Sequence, residues 1–159
     1  MGPSEALKTA VRAMLLADTL LASRVIGAGE ILPKDPLPAG KITIHSNLPE
    51  YTFGPTEVFR DVRFSVEWLG KDANGKSALG NCDPLNERTR ELLFNTIETN
   101  GVKVAAHQRL NVQLEPLGYS SDIIMEDGEI TAHLKRIGRD ADDVRWTLGY
   151  FYKLNLSRN

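Results

Sequence analysis

The stretch VRWTLGYFYKLNL, residues 144–156, decides how this chain folds. Val144, Trp146, Leu148, Tyr150, Tyr152, Leu154 and Leu156 share one parity. A period of two is what a strand with one buried face requires. The run is about twice the usual strand length, which makes it a central strand of its sheet. A second such segment is VFRDVRFSVEW at residues 58–68. There Val58, Val62, Phe64, Val66 and Trp68 alternate with Asp61, Arg63, Ser65 and Glu67, and Arg60 alone breaks the apolar side. Each strand has one face for a core and one for water.

Further strands are expected. KITIHS, residues 41–46, alternates and is β-branched. Leu110, Val112 and Leu114 alternate with Asn111, Gln113 and Glu115, which predicts another strand over residues 110–116. Between that segment and the final strand lies an excursion, residues 116–143. Asp127-Gly128 stands there between Ile123-Ile124-Met125 and Ile130-Thr131-Ala132, a dipeptide that favours tight hairpin turns. This predicts a projecting hairpin, with residues 138–143 returning to the sheet.

Two helices complete the pattern. Over residues 4–21, Leu7, Val11, Met14, Leu15 and Leu21 recur at three- and four-residue spacing, with Ser4 as the expected N-cap and Glu5 suited to the helix dipole. Asp83-Pro84 predicts the start of the second helix, Leu85, Leu92, Leu93 and Ile97 its buried stripe, and Asn100-Gly101 its stop. The stretch 27–40, punctuated by glycine and proline, reads as a connection with at most a short edge strand at residues 30–32. Pro49, Gly54 and Pro55 mark a turn region, and residues 70–82 an exposed loop. The expected fold is therefore α+β: one small, mostly antiparallel sheet with two helices packed on one face and a projecting hairpin.

Composition bounds the function. The 159 residues fit one domain, residues 1–159, and are 42% hydrophobic and 25% charged, which excludes a disordered chain. Nineteen basic against twenty-one acidic side chains leave a net charge of -2, without the basic excess of a nucleic-acid binder. The apolar run at residues 14–21 is broken by Asp18 and follows Glu5, so neither a membrane span nor a secretory signal is expected. A soluble, cytosolic chain is the expectation. One cysteine, Cys82, excludes an internal disulfide and a cysteine-only zinc site.

The motifs of chemistry are missing. His45, His107 and His133 lie far apart without metal-ligand spacing, and no G-x-S-x-G elbow occurs. Ser120-Ser121-Asp122 reads as a loop, and Gly27-Ala28-Gly29 lacks the rest of a phosphate loop. Cys82 stands near an expected helix N-terminus, where a dipole lowers a thiol's pKa, but no basic residue adjoins it. Asn155-Leu156-Ser157 matches a glycosylation acceptor by chance. Asp122, Glu126, Asp127 and Glu129 crowd the expected hairpin without the alternating oxygens of a calcium loop. They form instead an acidic, partner-facing tip. No catalytic residue, metal or cofactor is expected.

The order of these pieces resembles the tail-terminator, or tail-completion, proteins of long-tailed bacteriophages. The opening helix ALKTAVRAMLLAD (residues 6–18), a Gly-rich connection, the strand DVRFSVEW (61–68), the helix ERTRELLFNTI (87–97), the strand LNVQLEP (110–116) and the long last strand carry the likeness. It is a likeness of order and texture over most of the chain. The insertion at residues 72–82 and the excursion at 116–143 exceed a minimal member. The resemblance implies a non-enzymatic structural virion protein, six copies of which form a ring at the end of the tail tube. Its partners would be itself, the major tail tube protein and a head-tail connector or stopper protein. DNA would pass through the ring without specific binding, and no membrane would be involved. The place of action would be the virion neck, with assembly in the host cytoplasm.

Three alternatives remain open on sequence: a connector or stopper ring of the same neck, a small hydrolase built on the histidines and carboxylates, and a monomeric adaptor. Replacing Glu126, Asp127 and Glu129 by serine is expected to weaken tube capping without unfolding the monomer.

Overall fold

The computed structural model describes residues 1–27, 36–51, 57–72, 75–135 and 144–159. In chain order the elements are helix α1 (Pro3–Leu16), strands β1 (Ile26–Gly27), β2 (Ala39–Tyr51) and β3 (Glu57–Lys71), helix α2 (Ala78–Phe94), strands β4 (Ile97–Thr99) and β5 (Val102–Val104), helix α3 (Ala106–Leu114), and strands β6 (Tyr119–Ser121), β7 (Met125–Lys135) and β8 (Val144–Arg158). The fold is α+β. β3 and β8 are the sheet's centre, paired antiparallel from Arg60↔Leu156 to Lys71↔Arg145. β2 lies antiparallel on the other side of β3, and β1 adds a two-residue parallel pairing outside it. Beyond β8, β7 covers residues 144–153 and β6 covers 156–158.

The alternation of β3 and β8 sorts their side chains as expected. Val62, Phe64, Val66 and Trp68 are wholly buried, joined by Leu148, Tyr152, Leu154 and Leu156. The Phe64 and Tyr152 rings stack across the two strands at 5.4 Å. Against this face pack Leu7, Val11, Met14 and Leu15 of α1, Leu85, Leu92 and Leu93 of α2, and Ala106, Leu110 and Leu114 of α3. Apolar burial of this extent is the main driving force for the fold.

The helices differ from expectation in instructive ways. α1 starts at Pro3, and its N-cap is Gly2, with no side-chain cap. Ser4 is already inside the helix, its hydroxyl accepting a hydrogen bond from Asn47 Nδ2 at 2.7 Å. α1 ends at Leu16, so Leu21 is buried from the turns that follow.

α2 begins earlier than Asp83-Pro84 implied, which turns much of the expected loop at residues 70–82 into strand and helix. Ser77 is the N-cap, accepting from Gly80 N–H at 3.1 Å, and Asp72 Oδ1 accepts from Ala78 N–H at 2.7 Å. Pro84 therefore sits within the helix. α2 stops at Phe94 and Ile97 belongs to β4. Asn100-Gly101 does not stop a helix but turns the β4–β5 hairpin, with φ of 53° and 78°. Both uses need the same left-handed backbone, so the dipeptide alone does not choose between them.

The expected strand at residues 110–116 is instead the second half of helix α3, followed by a short 3-10 turn over Glu115–Leu117. Leu110 and Leu114 satisfy either period, but Ala106, four residues earlier, is buried with them and Val112 is 66% exposed. That is a helical face. Pro49 lies within β2 rather than in a turn. The expectations for residues 30–32, 54–55 and 138–143 lie outside the described residues.

The Asp127-Gly128 hairpin is also absent as such. Residues 125–135 form one strand paired to β8, with the ladder shifted between Glu126 and Glu129. Gly128, at φ 111°, lies in this bulge rather than in a turn. The hairpin that stands apart from the main sheet is β4–β5, a separate two-stranded sheet whose Val102 is 60% exposed.

Candidate interaction edges

The face of the sheet away from the helices carries a polar cluster. Arg63 Nε donates to Asp127 Oδ2 at 2.6 Å, and its guanidinium lies 3.9 Å from the centre of the Phe151 ring. His45 meets the same ring edge-on at 5.0 Å, and its Nε2 stands 2.7 Å from Ser65 Oγ. The Ser65 hydroxyl donates to Glu67 Oε1 at 3.2 Å, so the imidazole Nε2–H donates to the serine oxygen. This is not a nucleophile and its base. A triad places the carboxylate on the histidine, here it is on the serine, and Ser65 is wholly buried.

The other residues named from sequence do not converge with this cluster. His107 is half-buried on α3 and His133 lies in β7, so the three histidines occupy three different elements. Among the described residues no group of three or more histidine, cysteine, aspartate or glutamate side chains could hold a metal ion. Cys82 is buried inside α2, and burial pushes its thiol up to about 11, the opposite of an activated nucleophile. Ser121 ends β6 and Asp122 follows it: Asp122 accepts from the backbone and side-chain amides of Asn155, both at 2.8 Å.

The four acidic residues therefore do not share a tip. Glu126 points to the helical side, where its Oε2 accepts from Arg90 Nε at 3.0 Å, and Asp127 turns to Arg63 on the opposite face. Successive side chains of a strand point to opposite faces, which disperses the expected charge. Glu129 is exposed and lines a hollow of about 360 Å³ with Leu79, Asp83, Thr131 and Leu148. On the helical side a groove of about 310 Å³ is lined by Met14, Ala17, Leu92, Arg109 and Val112. Arg109 there gathers the carbonyls of Leu92, Asn95 and Val104 at 2.6–2.7 Å. Burial, with the charge of Arg88, lowers its pKa. It ties the end of α2 to the foot of the β4–β5 hairpin.

The surface features that sequence reasoning missed are on the sheet's two outer edges. Leu48 and Tyr51 of β2 are 58% and 54% exposed, and Ile123 and Met125, at the entry to β7, are 67% and 53% exposed. The row Leu48↔Asp61↔Asn155 runs straight across the sheet to Asp122, the neighbour of Ile123. Leu48 and Ile123 thus stand nearly level on opposite edges, while Met125 is level with Ser46 and Tyr51 lies further along β2. The only sequence signal was the Ile123-Ile124-Met125 run, in which Ile124 is buried and its flanks are not.

The chain is thus an α+β protein with its helices on one sheet face and exposed apolar side chains at both edges. No family model matches it, and no curated protein matches it. Among the described residues, no helix is long and apolar enough to cross a membrane.

Proposed function

We propose that this chain is a structural ring protein of a long-tailed phage neck, a tail terminator. About six copies, the number the family resemblance implies, would assemble head to tail. The ring would bind the last subunits of the tail tube, stop its polymerisation and offer a docking surface to the head-tail connector. DNA would pass through without specific contacts, and no chemistry would be performed.

One observation carries this reading: the exposed side chains of Leu48 and Ile123 lie nearly level on opposite edges of one sheet, with exposed Tyr51 and Met125 further along their edges. Apolar spots on opposite sides of a molecule make a heterologous contact, which closes into a ring when the rotation between copies allows. A two-fold dimer would use a single spot twice. Isolated exposed apolar residues are ordinary on any surface, so it is their matched placement that supports the reading.

The test is native mass across concentration, with negative-stain images of the largest species and co-sedimentation with purified tail tubes. A closed ring that binds tube ends is expected. A strict monomer that ignores tubes would sink the reading and favour the adaptor.

A further inference from the structure

A sheet edge presents unpaired N–H and C=O groups, and chains that must stay single cover them. This chain covers part of each edge. β1 lies on β2 at Gly40 and Lys41, and Gly40 N–H donates to the Val25 carbonyl at 2.8 Å. On the opposite edge the side-chain amide of Asn111 stands in for a strand beside β6. Its Nδ2 donates to the Ser121 carbonyl at 3.0 Å, and its Oδ1 accepts the Ser121 N–H at 2.7 Å. Beyond these two seals, neither β2 from Ile42 onward nor β7 has a strand on its outer side among the described residues.

The directions of the strands add a second constraint. β2, β3, β8 and β7 follow one another as three antiparallel pairs, so β7 runs opposite to β2. A copy set beside the first in the same orientation therefore brings β7 antiparallel to β2, with no need to invert the copy. Two features limit the length of such a ladder. Pro49 has no N–H to offer, and the register of β2 on β3, which shifts once between Ile44 and Ser46, shifts again between Glu50 and Tyr51. Residues 42–48 remain, with one irregularity at His45 and opening with the β-branched Ile42, Thr43 and Ile44 that suit a strand.

We propose that residues 42–48 of β2 in one copy pair antiparallel with β7 of the next, so that the sheet continues from copy to copy. This inference rests on the ring reading and names the surface that makes the ring. Leu48 on one edge and Met125 with Ile123 on the other would close over the junction and shield its hydrogen bonds from water. Sealing by β1 and Asn111 would keep the pairing from spreading to the rest of either edge.

Amide hydrogen exchange, read by mass spectrometry on peptides, tests the pairing. The assembled protein is compared with monomeric Leu48→Glu/Tyr51→Glu and, independently, Ile123→Glu/Met125→Glu, each confirmed folded by circular dichroism. In the assembly, peptides covering residues 42–48 and 125–135 should exchange about tenfold or more slower than in either variant. Peptides from β3, already paired on both sides within each copy, should exchange alike. Rings whose 42–48 and 125–135 peptides exchange as fast as in the monomers overturn the strand pairing and leave the ring reading standing. The absence of any assembly overturns both.

Discussion

The indole Nε1–H of Trp68 donates to Thr89 Oγ1 at 2.9 Å, and the same hydroxyl donates to the Leu85 carbonyl one turn back along α2 at 2.8 Å. Both residues are wholly buried. This pair anchors the helix to the centre of the sheet by a polar contact inside an apolar layer. A buried donor that loses its partner pays the full desolvation cost.

Thr89→Val, which keeps the shape and removes the acceptor, should destabilise the protein by about 1–3 kcal/mol. In a urea-unfolding cycle with Trp68→Phe, the double variant should lose less than the sum of the single changes. Strict additivity would show that the contact has no net worth.

Gly70 is required by the close approach of α2 to β3. A Cβ there would lie 2.5 Å from Cys82 Sγ and 2.9 Å from the Ala78 carbonyl oxygen. Gly70→Ala should lower stability by about 1–3 kcal/mol, the usual range for overpacking. Adding Cys82→Ala removes the sulfur clash but not the carbonyl one, so recovery should be partial. A thermal midpoint unchanged by Gly70→Ala would contradict the packing described.

Cys82 links folding to alkaline pH. Burial raises its thiol from the ordinary 9.0 to about 11 in the folded state. The folded chain therefore holds its proton longer than the unfolded chain. The stability this contributes is complete below pH 9 and is lost as pH rises from about 9 to about 11. Burial raises the Tyr152 phenol in the same direction. Urea midpoints of the parent should fall more steeply over this window than those of Cys82→Ala. At pH 8 the native thiol should resist a disulfide reagent that labels the unfolded chain at once, and rapid native labelling would refute its burial.

Edge variants distinguish a heterologous contact from any other. Leu48→Glu/Tyr51→Glu and Ile123→Glu/Met125→Glu should each be monomeric, because each damages one half of every contact. Mixed in equal amounts they retain one intact pair of edges and should form a one-to-one dimer by light scattering. Two variants that stay monomeric together would exclude contact between these two edges.

The ion pairs on β7 are minor for stability. Arg63–Asp127 and Arg90–Glu126 are each more than a third exposed at the arginine, so solvent screens them. Glu126→Gln and Asp127→Asn should each change the unfolding free energy by less than about 1 kcal/mol. A larger loss at either position would show that the pair is not screened as its exposure implies.

The amino-acid sequence by itself determined what depends on period. The parity of Val62 to Trp68 and of Leu148 to Leu156 placed two strands and their buried faces, the length of the second marked it as central, and the stripe from Leu7 to Leu15 placed α1. Local signals that serve two conformations were undecided. Leu110 and Leu114 lie on one face of either a strand or a helix. Asn100-Gly101 and Asp127-Gly128 both supply left-handed backbone, which a helix end, a hairpin and a bulge all use. Only packing chose among these, by burying Ala106 with Leu110, by folding β4 on β5, and by laying all of β7 along β8. The edges belong wholly to the tertiary structure. Strand order is set by contacts between residues far apart in the chain, so no short stretch records that Leu48 and Ile123 end level on opposite sides of one sheet.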